Sequence, residues 1–267
     1  MLNEETVNTD AIEELLYQLA DDDFIHAYRG SEWLGLAPHI EEDVAASSIT
    51  QDTMGHAAMF YQLLEELGEG DANKLAHERP ASKRRNAIIL ELVNGPGHYL
   101  AEPNYDWAFA VVRNYFYTQA KMIKIQSLQM SSYQPLADIA TKVRMELYYH
   151  LMHWKTWFVQ LMGSGHEVAV TKMNAAIHKT CRDFKGVFSL GDKGEEMIAQ
   201  GLIEDELTLL TRWYQAVTQV MESVGLKGLE EIEMTLGDGR SGIHTFDLDT
   251  ALEILSEVYV IDLAASW

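Results

Sequence analysis

Apolar residues recur at spacings of three and four along most of the chain, and no useful stretch alternates apolar with polar, so the pattern predicts an all-α protein. The first helix is predicted from Thr9 or Asp10 to Trp33, with Ile12, Leu15, Leu19, Asp22, His26, Gly30 and Trp33 on its stripe. The second starts after Pro38, where Glu41, Glu42 and Asp43 suit the positive end of the helix dipole, and stops at Gly68. Its stripe is Ala45, Ile49, Asp52, His56, Met59 and Leu63. A long polar connection from Gly68 to Arg85 leads to a short helix near Asn86 to Val93. The third helix follows Pro103 and Asn104 and runs to about Met130, with Ala108, Val112, Tyr115, Gln119, Met122 and Gln126 on one face. The fourth carries Pro135 in its first turn, where a missing N–H costs nothing, and ends at Gly163. Its stripe is Ile139, Val143, Leu147, His150, Trp154, Trp157 and Leu161. Ser164-Gly165-His166-Glu167 reads as a capping box for a fifth helix reaching about Phe184. Further helices are predicted at about Glu204 to Val224 and Leu248 to Leu263, separated by a glycine-rich loop.

Four long helices with one long crossover connection describe a four-helix bundle over about residues 9–163, with additional C-terminal helices over about 164–267. At 267 residues and 47% hydrophobic content one core suffices, so a single domain is expected over 1–267. A net charge of −21 argues against nucleic acid or an anionic membrane as partner. One cysteine, Cys181, allows no internal disulfide, and a buried, inert thiol is the expectation. The polar start MLNEETVNTD is unlike a targeting peptide, and no apolar run approaches the roughly 20 residues of a membrane span, so a cytoplasmic location is expected.

Three predicted helices carry an acid four residues before a histidine: Asp22 and His26, Asp52 and His56, Glu146 and His150. Residues four apart share a helix face, so each pair can aim a carboxylate and an imidazole at one point, as metal ligands do. The third helix breaks the pattern. Between Asp106 and Asp138 lie 31 residues without an aspartate or glutamate, in a chain with 41 acids among 267 residues. Reflecting each helix about its turn places Asp52 level with Asp22, and Glu146 opposite a position between Gln119 and Lys121. A lysine there would supply the positive charge that a metal otherwise brings to buried carboxylates. Lys121 or Arg113 is therefore expected to fill the centre of a vestigial site, with no metal bound.

Other readings stay open. Each acid–histidine pair can be an ordinary i,i+4 surface pair, or the set can be a working di-iron or mononuclear oxygenase site. Lys83-Arg84-Arg85 suits the phosphates of a nucleotide-like ligand, a solvated loop or a docking point, and Lys121 with Lys124 offers a second basic pair. His153 falls off the stripe and reads as a surface or interface residue, while Trp33, Trp154 and Trp157 read as packing. No phosphate-cradling glycine motif, nucleophile elbow or zinc-type cysteine pattern is present.

Several strings, in order and spacing, carry a family resemblance: Ser31-Glu32-Trp33, Ala37-Pro38, Glu41-Glu42-Asp43, Gln51-Asp52 with Gly55, Glu146 to His150, Gly163-Ser164-Gly165, Lys172-Met173, Ala176-Ile177, and Gly242 to Thr245 before Trp267. Over nearly the whole chain the sequence resembles the C-type subunits of phenylacetic acid degradation. The resemblance implies a ferritin-like fold and a place in the bacterial phenylacetyl-CoA ring 1,2-epoxidase, a multicomponent monooxygenase. It implies a structural, non-catalytic subunit that holds a homologous di-iron catalytic subunit, with self-association as a homodimer also open. No cofactor is implied for this chain. The complex would use iron in the partner subunit, and NADPH, flavin and an iron–sulfur cluster in a reductase.

Overall fold

A computed structural model describes residues 9–263. Expectations that involve MLNEETVN or Trp267 lie outside the described residues. Ten α-helices are present among those residues, and the only β-type pairing is an isolated bridge between His98 and Ala101. The long helices are α1 (Asp10–Ser31), α2 (Ile40–Leu67), α5 (Trp107–Leu128) and α6 (Gln134–Met162). Shorter ones are α3 (Ala72–His77), α4 (Ile88–Glu91), α7 (Glu167–Cys181), α8 (Gly194–Ala199), α9 (Glu206–Ser223) and α10 (Phe246–Ser256). No helix among the described residues is long and apolar enough to cross a membrane.

Local chemistry explains the ends. Helix α2 stops at Gly68, whose φ of 96° is a left-handed conformation that suits glycine, and its N–H closes back onto Glu65 and Leu64. Helix α5 starts because the Asp106 side chain accepts from the backbone N–H groups of Ala108 and Phe109. Asp205 caps α9 in the same way through Thr208. The predicted capping box before α7 does not form. The N-cap is His166 and makes no side-chain cap bond, while the Ser164 hydroxyl is spent on Leu161 O and His166 N.

Helices α1 and α2 pack along one another, as do α5 and α6, and the two hairpins face each other across the core. Helices α7 and α9 lie against α5, which leaves it buried almost all round: only Trp107, Gln119 and Gln126 are not fully buried. This corrects the predicted face. Gln119 and Gln126 were expected inside, but they are its wettest interior positions, and Gln126 accepts from Arg212. An aromatic cluster joins α5, α6, α9 and the loop after α7: Phe116, Phe158, Phe184 and Trp213. The Trp213 indole donates to Phe116 O at 3.0 Å, so its polar edge is satisfied within the core.

Candidate functional site

One side chain from each long helix contributes to a polar line across the bundle. Lys121 Nζ on α5 donates to Asp23 Oδ1 on α1 at 2.7 Å and to His56 Nδ1 on α2 at 2.8 Å. His56 Nε2 lies 2.7 Å from Glu146 Oε2 on α6. An ammonium can only donate, so Nδ1 must accept, and the ring proton sits on Nε2 and goes to Glu146. Tyr117 adds its hydroxyl to Asp23 Oδ1 at 3.1 Å. A parallel pair lies beside this line, His150 Nε2 with Asp52 Oδ2 at 2.9 Å, its ring 6.1 Å from that of His56.

The line runs from dry to wet. Asp23, Lys121, His56 and His150 are buried, whereas the side chains of Glu146 and Asp52 are 50% and 44% exposed. Burial pulls Asp23, Lys121, His56, His150 and Glu146 toward neutrality. It raises the Asp23 carboxyl and lowers the Lys121 ammonium, each against the attraction of the other. Burial, then the Lys121 charge, drives His56 far below the usual imidazole range, and burial lowers His150 too. Glu146 is raised by burial and by its neighbour Asp52. Both histidines are thus neutral hydrogen-bonding groups, and the contacts of Lys121 with the Asp23 carboxylate and His56 Nδ1 make it the cation at the middle of the bundle.

The sequence pattern singled out Asp22, but Asp23 reaches Lys121. Asp21, Asp22 and Asp23 are consecutive and all buried, and they point in three directions about 100° apart. Each finds a cation from a different segment. Asp21 accepts from Arg79, Arg84, the Tyr61 hydroxyl and Arg85 N. Asp22 forms a two-pronged pair with Arg240, both contacts at 2.8 Å, and also accepts from Ala87 N. Asp23 takes Lys121.

Every other predicted site residue has a definite place. The acid–histidine pairs do not close within their own helices. They are exchanged between helices, His56 with Glu146 and His150 with Asp52. His26 meets no carboxylate; it packs on Tyr117, with ring centres 4.6 Å apart, and its Nδ1 is unpartnered. Arg113 does not join the centre. It donates to Leu92 O and Asn94 Oδ1, and burial, with the Arg29 charge, lowers it to about 9. The basic run is neither solvated as a whole nor free for phosphate, because Arg84 is fully buried on Asp21 and Tyr61, and Arg85 pairs with Glu14. Lys121 and Lys124 are likewise buried, so neither is a surface phosphate contact. His153 is held by Glu42, which also accepts from the Trp157 indole.

Two participants escaped sequence reasoning, Asp23 and Arg240. Arg240 sits in a glycine-rich loop, and only the fold brings it 218 residues back to α1. His244 in the same loop pairs with buried Glu91, so this segment is clamped to the bundle twice.

The sequence pattern of the family described as phenylacetic acid catabolic protein matches residues 2–267. The chain belongs to that family. It is also 30% identical over 236 residues to the C-type chain of the 1,2-phenylacetyl-CoA epoxidase of Escherichia coli (strain K12), a match covering 88% of this chain and 90% of that protein.

Proposed function

We propose that this chain is a non-catalytic, ferritin-like structural subunit of a bacterial phenylacetyl-CoA 1,2-epoxidase, binding and stabilising the homologous di-iron subunit in aerobic phenylacetate catabolism. The observation that carries the reading is the Lys121 ammonium, bonded to Asp23 and His56 where the four helices converge. The residues do not fit a di-iron centre. Such a site needs several anionic bridges around two cations. Here α5 contributes no carboxylate, a fixed cation stands in the middle, and both oxygens of Asp22 are taken by Arg240. A metal dication beside Lys121 would be repelled, and the His56 nitrogens are already engaged on both sides.

The outer face of α6 supports the partner half of the reading. Met145, Tyr148, Tyr149 and Met152 are all more than half exposed on a helix whose inner stripe is packed. Methionine and tyrosine are types enriched in stable interfaces, and a large exposed apolar patch marks a contact surface. The relative from Escherichia coli is one component of an epoxidase, which favours the same class of assembly here.

Co-expression with the di-iron subunit tests the proposal. The two chains should co-elute at micromolar concentration, and Tyr148→Asp with Met152→Asp should separate them while leaving the helical signal of this chain intact. Independent elution of the wild-type chains would overturn it.

A further inference from the structure

Among the described residues, three indole nitrogens have nothing to bind. Trp157 donates to Glu42 and Trp213 to Phe116 O, but the Nε1 atoms of Trp33, Trp107 and Trp154 are buried without a partner in the protein. His26 Nδ1 is in the same condition. Buried polar groups are nearly always satisfied by protein or ordered water, so each exception calls for an occupant. All four rings line one narrow cavity of about 10 Å³ between α1, α2, α5 and α6. That is room for one water-sized group.

The cavity does not stand alone. An open groove of about 300 Å³ between α1 and α2 shares Ala27, Gly30, Trp33, Ala46 and Thr50 with it as walls. Leu34 and Met54 line the groove, and no charged side chain among the described residues borders it. Gly30 keeps the junction tight, since a Cβ there would collide with the Thr50 hydroxyl.

The chemistry of the lining selects the ligand. Indole N–H groups only donate, so whatever enters the inner cavity must accept. His26, buried and near the Arg113 and Lys121 charges, stays neutral and adds no charge of its own to the lining. An apolar groove that narrows to a few polar groups is the common form of a small-molecule site. We propose that groove and cavity form one site for a small, uncharged, mainly apolar molecule bearing a single accepting oxygen. Its oxygen sits among the indole N–H groups, and a body about the size of a six-membered ring fills the groove. This site is separate from the Lys121 line and from the outer face of α6.

Cyclohexanone is the probe, followed by the Nε1–H resonances of the ¹⁵N-labelled full chain, each assigned by a Trp→Phe substitution. Titration should shift the signals of Trp33, Trp107 and Trp154 saturably and leave those of Trp157 and Trp213 in place. Cyclohexane, the same ring without the oxygen, should bind at least about tenfold more weakly. Ala46→Leu should fill the groove and abolish the shifts while the Trp213 signal reports an intact core. Ser47→Leu at the groove wall serves if the first variant does not fold. The proposal is overturned if the three signals stay fixed and show exchange with water alone, or if Trp157 and Trp213 shift with them. It is also overturned if cyclohexane binds as tightly, or if the folded groove variants bind like the wild type.

Discussion

Replacing Lys121 by methionine keeps the volume of the side chain and removes its charge. Asp23, 1% exposed, would then retain only the Tyr117 hydroxyl, and its second oxygen already lacks a partner. His56 Nδ1 would lose its donor as well. Removing one member of a buried ion pair costs about 3–5 kcal/mol, because the remaining charge is stranded. A typical domain has only about 5–15 kcal/mol to lose. The deficit depends on pH. Without the ammonium, the folded Asp23 carboxyl rises further above its unfolded value near 4, so the variant's stability is fully present below that value and is lost as pH rises toward the folded pKa. Urea denaturation of variant and wild type should therefore give a difference of about 3–5 kcal/mol at pH 7 and a smaller one near pH 4. Adding Asp23→Asn removes the stranded charge and should restore stability to within about 1–2 kcal/mol of the wild type. A difference below about 1 kcal/mol at pH 7, or one that does not change with pH, would refute the claim that Lys121 neutralises a buried carboxylate.

Three further outcomes follow from other buried groups. Arg240→Met leaves Asp22 with only the Ala87 N–H and should cost about 3–5 kcal/mol, with faster amide exchange around Gly239 to His244; unchanged exchange there would show that the loop is held by other means. Burial, with the Arg240 charge beside it, lowers Lys124 to about 7, so the folded chain resists a proton that the unfolded chain binds near pH 10. Stability is therefore lost as pH falls from about 10 to 7, and Lys124→Met should stabilise by about 2–4 kcal/mol below pH 7, fading at higher pH; destabilisation at neutral pH would contradict this. Burial pushes the Cys181 thiol up to about 12, so a disulfide reagent at pH 8 should label it only at the rate of unfolding, and rapid native labelling would be the opposing result.

The bundle was legible because α2 and α6 each bury one face and leave the other exposed. Their stripes repeat over seven or more turns, and Gly68 and Gly163 mark their ends. Helices α3 and α8 were missed because six residues are too few to show a period. The centre of the site was harder to read, for a geometric reason. Helix α5 is buried nearly all round, so periodicity could not tell whether Gln119 or Lys121 faces α2. The composition still held the decisive signal, a helix without a single carboxylate in a strongly acidic chain. Similarly, the run Asp21-Asp22-Asp23 offered three candidate acids, and which one meets α5 depends on Arg84 and Arg240 capturing the other two. The exchange of partners between α2 and α6 is a property of helix spacing, not of either helix's own sequence.

The central claim is that a lysine, not a metal, holds the four helices together at their meeting point. Iron content after anaerobic incubation of the purified wild-type chain with excess ferrous iron and desalting tests it most directly. The account predicts no stoichiometric iron on the wild type. One or two irons per chain, lost on replacing His56 or Glu146, would contradict it.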